Sequence, residues 1–203
     1  MHFDFDLKMN KPVDIPNVRN ITVSGRIGSG ATTLATHLAE KLGWEILDGG
    51  KLFRKINAEL GLSITQSNNR PDSFDLEYEE RIKTMLREGK YQVIQSHLAG
   101  FDAQGVEGIF KILVVVEDSQ GEDKPEIRID RLVNRDNVSI EEAKHEVLER
   151  ERSHLEKFRR LYASGDTAWV YWDKKYYDLV VNTFSHNATE SVQIVLDALY
   201  VSR

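Results

Sequence analysis

Residues 21–39 of the chain read ITVSGRIGSGATTLATHLA. The alternating Ile21 and Val23 predict a short buried strand, and the glycines at positions 25, 28 and 30 predict a loop after it. From Leu34 onward the apolar residues recur at the spacing of one helix face. A strand, a glycine-rich loop and a helix in this order are typical of a phosphate-binding loop. The glycines let backbone N–H groups surround the anion, and the helix N-terminus adds its partial positive charge.

This loop matches the phosphate-binding pattern G-x-x-x-x-G-K-[ST] except at one position. Gly25, Gly30 and Thr32 fit the pattern, whereas Ala31 occupies the position of the lysine. The Thr32 hydroxyl stands where the pattern reaches a magnesium ion, so Thr32 is the candidate metal ligand, and Thr33 can contact another phosphate. The alternative is a glycine-rich turn that joins the strand to the helix and binds nothing.

Composition indicates one α/β domain and argues against several classes of partner. The chain has 203 residues, 40% of them apolar, and carries a formal net charge of −6. That charge argues against electrostatic binding to nucleic acid or to an anionic membrane. There is no cysteine, so disulfide and thiolate chemistry are excluded. The first 20 residues mix charges with prolines, unlike a signal peptide, and no apolar run is long enough to span a membrane. We therefore expect a cytoplasmic protein.

The rest of the chain alternates strands with helices. Residues 1–19 are interpreted as a tail or extension, and residues 20–203 as one domain. Further strands are predicted at residues 44–47, 91–95, 109–116 and 177–183. Helices are predicted at residues 51–60, 73–88, 140–163 and 189–201, with a mobile loop at residues 63–72. Gly43 is expected to end the first helix, Pro125 to begin another, and Ser139 and Glu142 to form a capping box. The inward face of the helix at residues 140–163 is expected to carry Val147, Leu148, Leu155, Phe158 and Leu161. This alternation predicts a parallel sheet of about five strands with helices on both faces and ligands at the strands' carboxyl ends.

Polar residues follow the second and third predicted strands at this same edge. Asp48 ends the second strand, and Arg54 lies in the first turns of the next helix. An aspartate there can hold a base or sugar, and the planar guanidinium of an arginine suits a phosphate. The alternative is a helix-capping aspartate with a solvated arginine. His97 follows the third strand, where it either contacts a phosphate or is an ordinary polar residue at a strand end.

A row of arginines follows the fourth strand. Spacings of three and four residues put Arg128, Arg131 and Arg135 on one helix face, and Arg150 comes later in the chain. Such a row can neutralise the charge of transferring phosphates. The alternative is an ordinary solvated face, since Glu126 lies among these arginines.

Taken together, these motifs resemble the nucleoside monophosphate kinases, most closely the cytidylate kinase family in its short, archaeal-type form. The resemblance extends from Ile21 to Leu199. It is carried by the segments GRIGSGATT at 25–33, DGGKLFR at 48–54, RIDRLVNR at 128–135 and YDLVVNT at 177–183.

The resemblance implies a three-layer P-loop kinase fold, with an acceptor-binding segment at about 50–90 and a lid at about 118–140. It implies phosphoryl transfer from Mg²⁺-bound ATP to CMP, with dCMP and UMP as further acceptors. ATP is expected to contact the loop, and the acceptor a second set of residues; lid arginines are expected to be catalytic. These sets are Gly25, Gly28, Ser29, Gly30, Ala31, Thr32 and Thr33 for ATP, Asp48, Arg54 and His97 for the acceptor, and Arg128, Arg131, Arg135 and Arg150 for catalysis. The oligomeric state stays open, with a monomer favoured.

The chain departs from the family pattern at three places. Ala31 lacks both the usual lysine and the threonine that is frequent in the archaeal-type branch. Gln95, Ser96 and His97 replace an acidic residue, a glycine and an arginine, and Lys157 replaces an arginine. Losing one transition-state charge contact costs a factor of about a hundred to a thousand. Two alternatives therefore remain, a nucleotide-binding protein that has lost catalysis and a kinase for another small acceptor.

Overall fold

The fold is a parallel sheet seen in a computed structural model that describes residues 11–59 and 71–201. The strands are β1 (Asn20–Gly25), β2 (Glu45–Asp48), β3 (Gln92–Gln95), β4 (Ile109–Val115) and β5 (Leu179–Asn182). They lie in the order β2-β3-β1-β4-β5, and every neighbouring pair is parallel. The predicted five-stranded parallel sheet is confirmed.

Eight α-helices within the described ranges connect and cover these strands. They are α1 (Ala31–Leu42), α2 (Gly49–Glu59), α3 (Asp72–Glu88), α4 (Ala99–Asp102), α5 (Pro125–Asp136), α6 (Ile140–Lys144), α7 (Glu151–Tyr162) and α8 (Ala188–Val201). One core cluster joins the sheet to α1 and α8, and a second joins it to α3 and α4. Helices therefore cover both faces, as the three-layer prediction requires. None of these helices has the length and apolarity needed to cross a bilayer.

The central strand β1 fixes where the loops at the carboxyl edge meet. All six of its residues are buried, because it pairs with β3 on one side and with β4 on the other. Gly25 ends β1 opposite Val114, and Asp48 ends β2 opposite Gln95. Parallel strands end on the same edge, so the phosphate loop, Asp48 and the residues after Gln95 gather there.

Several predicted helix ends are confirmed. Gly43 terminates α1 with a φ of 64°, a conformation that glycine adopts without a steric penalty. Pro125 is the first residue of α5. Ser139 and Glu142 form the predicted capping box at the start of α6. Strong local signals of this kind need no tertiary contact to act.

The helix predicted at residues 140–163 is not one continuous α-helix in the structure. A π-helical turn, His145–Arg150, separates α6 from α7. Because a π-turn holds more residues than an α-turn, the face after it is rotated relative to regular helical spacing. Leu148 is 47% exposed, so its predicted inward position is wrong, whereas Val147 and Phe158 are buried as expected. Leu155 and Leu161 are half-buried.

The acceptor segment and the N-terminus are described only in part. Helix α2 begins at Gly49, two residues before its predicted start, and residues 60–70, which hold most of the predicted mobile loop, lie outside the description. The side chain of Arg54 likewise lies outside the described part of the structure. In the N-terminal segment, Ile15 belongs to the main core cluster, and the indole Nε1–H of Trp44 donates to the Val13 carbonyl at 2.8 Å.

Candidate active site

A cleft of about 1280 Å³ opens at the carboxyl edge of the sheet. It is lined by every predicted residue of the phosphate loop, together with Asp48 and His97. Arg131, Arg135 and Arg150 also line it, from α5 and the π-helical turn. The structure therefore brings together most of the sequence-predicted site residues. Arg128 does not line the cleft because it lies beneath the loop, and the side chain of Arg54 lies outside the described part of the structure.

The phosphate loop has the backbone shape that its glycines allow. Gly28 and Gly30 have φ values of 78° and 92°. Gly30 caps α1 without a side-chain hydrogen bond, and the first helical residues, Ala31, Thr32 and Thr33, line the cleft. The N–H groups of a first helical turn have no carbonyl partner within their own helix. These groups and the helix dipole therefore offer an anion site at the cleft.

Replacing Gly28 by alanine tests how tightly this loop is packed. A Cβ at Gly28 would lie 2.6 Å from the Arg128 carbonyl oxygen and 2.9 Å from the Leu132 Cδ1. We expect Gly28→Ala to lower the free energy of unfolding by about 1–3 kcal/mol more than Gly121→Ala. Gly121 shares a positive φ of 81° but has nothing within 4 Å of its Cβ position, so it isolates the backbone strain. Urea denaturation of both variants measures the difference, and equal losses would contradict tight packing.

Beneath the loop lies an ion cluster of Arg26, Asp123, Arg128 and Glu151. Arg128 Nη1 lies 2.9 Å from Glu151 Oε2, and Arg128 Nη2 lies 2.9 Å from Asp123 Oδ2. Arg26 Nη1 lies 2.9 Å from the same Asp123 oxygen, and Arg26 Nη2 lies 2.5 Å from Glu151 Oε1. Arg128 is only 1% exposed. The positive charge of Arg128 is therefore neutralised by buried or partly buried carboxylates and does not face the cleft.

This ion cluster also holds the loop backbone. The Ile27 N–H donates to Glu151 Oε2 at 3.1 Å, and Arg128 Nη1 donates to the Ile27 carbonyl at 2.8 Å. Both backbone groups of one loop residue are thus bonded to side chains from α5 and α7. The loop is fixed in place by charged groups that are themselves buried.

Arg131 has a different environment from that of Arg128. Its guanidinium donates to the Ser29 carbonyl at 3.2 Å, to Thr183 Oγ1 at 2.8 Å and to the Thr183 carbonyl at 2.7 Å. A Cβ at Gly30 would lie 3.9 Å from Arg131 Nη1. Among residues 11–59 and 71–201, no carboxylate forms an ion pair with Arg131, and burial lowers its pKa. An arginine charge without a counter-ion therefore lies directly beside the phosphate loop.

The two other cleft arginines are paired with carboxylates. Arg135 Nη2 lies 2.6 Å from Asp136 Oδ2, its side chain is 58% exposed, and the hydrogen bond to Asp136 raises its pKa. Arg150 forms an ion pair with Glu146 one turn earlier. Of the four predicted catalytic arginines, these two line the cleft with their charges compensated.

Thr32 in the first turn of α1 and Asp48 at the end of β2 both have hydrogen-bond partners at the cleft. Thr32 Oγ1 donates to the Gln95 side-chain oxygen at 3.4 Å. Asp48 Oδ1 accepts the Lys51 N–H at 2.9 Å, so this aspartate caps the start of α2 while it lines the cleft. The capping contact in the alternative interpretation is therefore present.

His97 contacts the loop. Its Nδ1 lies 2.9 Å from the Gly25 carbonyl oxygen. A carbonyl oxygen only accepts, so Nδ1 carries the proton and donates it. Burial lowers the pKa of His97, which favours the neutral ring. His97 thus supports the first residue of the phosphate loop.

The sequence did not single out several residues that line the far end of the cleft. Tyr78 and Glu79 lie on the inner side of α3, and His154 lies on α7. Glu79 is only 5% exposed. An acidic residue three positions before the buried Ile82 was the available signal, because that spacing shares one helix face. No sequence pattern could predict the contact of Arg131 with Thr183, because the two residues lie 52 positions apart in the chain.

Comparisons with known proteins agree with this arrangement. The profile of the cytidylate kinase-like family matches residues 20–185. A cytidylate kinase of Methanopyrus kandleri is 31% identical over 193 residues, covering 88% of this chain and 92% of its own. A cytidylate kinase of Methanocella arvoryzae is also 31% identical, over 183 residues, covering 88% and 95%.

Solved structures with low sequence identity share the fold. A gluconokinase from Sinorhizobium meliloti aligns with a TM-score of 0.55 at 16% identity, covering 93% of this chain and 94% of its own. A shikimate kinase from Acinetobacter baumannii aligns with a TM-score of 0.53 at 18% identity, covering 92% and 95%. These likenesses and the strand order confirm the P-loop kinase fold. With the family profile matched from residue 20 to residue 185, the chain belongs to the cytidylate kinase-like family.

Proposed function

We propose that this protein transfers the γ-phosphoryl group of ATP to CMP, with dCMP and UMP as further acceptors. The observation that carries the proposal is the position of Arg131. Its guanidinium has no carboxylate partner among residues 11–59 and 71–201, and it lies beside a phosphate loop with Ala31 in the place of the lysine. Relatives named cytidylate kinase, at 31% identity over most of both chains, support CMP as the acceptor.

In this proposal the phosphate loop binds ATP through its backbone N–H groups and through Thr32 and Thr33. Asp48 and Arg54 hold the acceptor nucleotide, and Asp48 lines the cleft. Arg131 takes over the role of the loop lysine, and Arg135 and Arg150 approach the phosphates from the lid. Arg128 acts as a positioning residue, since it holds the Ile27 backbone and does not line the cleft.

The residues at the loop fit a magnesium ion that accompanies ATP. Thr32 Oγ1 and the Gln95 side-chain oxygen are neutral oxygen donors 3.4 Å apart beside the loop. Magnesium prefers oxygen ligands and is usually held by few protein groups, together with substrate phosphates and water. Thr32 and Gln95 would hold the ion, and the ion would neutralise phosphate charge.

The chemistry asked of the chain is positioning and charge neutralisation. Phosphoryl transfer between nucleotides needs no covalent intermediate on the protein. The two nucleotides must be held in line, and the charge that develops on the transferred group must meet fixed positive groups. A guanidinium held by Thr183 and the Ser29 carbonyl is already oriented, so little reorganisation is needed during the reaction.

The proposal is tested by supplying purified protein with ATP and Mg²⁺ and each acceptor in turn. ADP production is followed by a coupled assay, and the product is identified by chromatography. We expect CMP to be converted to CDP faster than AMP is converted to ADP. The absence of diphosphate from every nucleoside monophosphate would overturn the proposal. Turnover of shikimate or gluconate in place of CMP would support a kinase for another small acceptor.

A further inference from the structure

Two buried hydroxyl groups at the far end of the cleft have no hydrogen-bond partner in the described part of the chain. They are Tyr78 Oη and Ser96 Oγ, and both side chains are more than nine-tenths buried. Both residues line the cleft, as does the buried Glu79. Buried polar groups in proteins almost always have a partner. We call Tyr78, Glu79 and Ser96 the polar floor, and its open hydroxyls indicate that a ligand supplies the missing hydrogen bonds.

Gly49 brings two parts of the polar floor together. A Cβ at Gly49 would lie 2.6 Å from Tyr78 Oη and 2.8 Å from Ser96 Cβ. A side chain at this position would therefore fill the space between the two residues. Gly49 directly follows Asp48 at the end of β2, so the polar floor lies at the acceptor side of the proposed kinase site.

Aromatic rings stand beside the polar floor. The Phe53 ring meets the Tyr78 ring edge-on, with centroids 5.9 Å apart and an interplanar angle of 87°. Phe53 also lies 6.3 Å from the His154 ring, which in turn lies 5.9 Å from the Phe158 ring. All four rings line the cleft. Flat apolar surfaces next to a few polar groups suit a planar heterocycle with hydrogen-bonding groups on its edge.

The Glu79 carboxyl lies next to a second buried carboxyl, that of Asp102 on α4. Burial and the adjacent Asp102 raise the pKa of Glu79 well above its usual value, and Asp75 on the same helix acts in the same direction. Lys83 opposes this shift, with its Nζ 3.8 Å from Asp102 Oδ1. Glu79 also hydrogen-bonds to Asp102, so part of its carboxyl group is engaged within the protein. Its Oε2 is buried without a partner in the described part of the chain and can accept a hydrogen bond from a ligand.

We propose that the polar floor recognises the base of the acceptor nucleotide through the polar edge of cytosine. Glu79 Oε2 accepts a hydrogen bond from the exocyclic amine, and a hydroxyl group of the polar floor donates one to N3. Uracil is accommodated because a hydroxyl group can also accept the hydrogen bond that the N3–H of uracil donates. The inference rests on the proposed function, since it assumes that the acceptor is a nucleoside monophosphate.

Equilibrium binding of CMP and of ribose 5-phosphate, which has no base, tests this role by calorimetry on the full chain. We expect Glu79→Leu to weaken CMP binding by about tenfold or more and to leave ribose 5-phosphate binding unchanged. Glu79→Gln keeps an oxygen acceptor and adds an amide that can donate to Asp102, so its CMP affinity should stay within about threefold of the starting protein. Glu77→Gln is the matched control, because Glu77 is exposed on the same helix and pairs with Arg81.

Three results would overturn the inference. They are unchanged CMP affinity in Glu79→Leu, equal binding of CMP and ribose 5-phosphate by the starting protein, or the same loss in Glu79→Gln as in Glu79→Leu. Should Glu79→Leu fail to fold, Ser96→Ala removes only a hydroxyl and should still weaken CMP selectively. Failure of the proposed kinase function is seen separately, as missing CDP in a protein that still distinguishes CMP from ribose 5-phosphate.

Discussion

Replacing Arg131 by alanine should lower kcat for CMP phosphorylation by about a hundred- to a thousand-fold, with much smaller changes in KM. Arg131 is held by Thr183 and the Ser29 carbonyl beside the phosphate loop, and no carboxylate of the described chain compensates its charge. A charge in that position stabilises the transferring group more than the bound ground state. The coupled ADP assay with saturating ATP and CMP measures the loss.

Arg135→Ala is the matched control for this substitution. Arg135 lies on the same helix, lines the same cleft and is already paired with Asp136, so its loss should reduce kcat far less. Introducing the missing loop lysine gives a second check. Ala31→Lys should restore a substantial part of kcat in the Arg131→Ala background, while changing the starting protein little. Equal effects of Arg131→Ala and Arg135→Ala, or no rescue by Ala31→Lys, would count against Arg131 as the replacement for lysine.

Replacing Glu151 by alanine should lower the free energy of unfolding by about 3–5 kcal/mol. Glu151 is buried, and its carboxylate contacts Arg26, Arg128 and the Ile27 N–H. Its removal leaves the buried Arg128 with Asp123 as its remaining ion-pair partner in the described chain. Uncompensated buried charge is costly because the protein interior solvates it poorly. Urea denaturation followed by circular dichroism measures the change.

Glu149→Ala serves as the control for Glu151. Glu149 lies in the preceding π-helical turn and forms an exposed ion pair with Arg152, which is worth about 0–1 kcal/mol. Loosening of the loop should also appear as weaker ATP binding in Glu151→Ala at a temperature where the variant is folded. A Glu151→Ala protein as stable as Glu149→Ala would show that the ion cluster contributes little.

The sequence predicts the fold well where the determinants are local. Alternating apolar residues, Gly43, Pro125 and the Ser139 capping box each act within a few residues, and the structure confirms them. The π-helical turn could not be predicted, because regular spacing assumes one constant number of residues per turn. Leu148, which regular spacing predicts to face inward, lies within that turn and is exposed.

The candidate site shows the same division. The phosphate loop and Asp48 can be predicted from the sequence because the residues that define each of them are adjacent in the chain. The three arginines of α5 share one spacing pattern, yet their surroundings differ because distant residues supply the partners. Glu151 compensates Arg128, and Thr183 orients Arg131. The raised pKa of Glu79 comes from burial and from Asp102, a neighbour on another helix that no local pattern identifies.

The ion cluster holds one part of helix α5 and leaves its C-terminal end free of the cluster. Arg128 is bound to the loop backbone and to α7, whereas Arg135, near the C-terminal end, is largely exposed. Seven residues of helix separate the two, about 10 Å at 1.5 Å per residue. A tilt of α5 by about 10° around Arg128 would move Arg135 by about 2 Å, enough to make or break a hydrogen bond. The exposed end of the helix would thus shift while Ile27 of the phosphate loop stays bonded to Arg128.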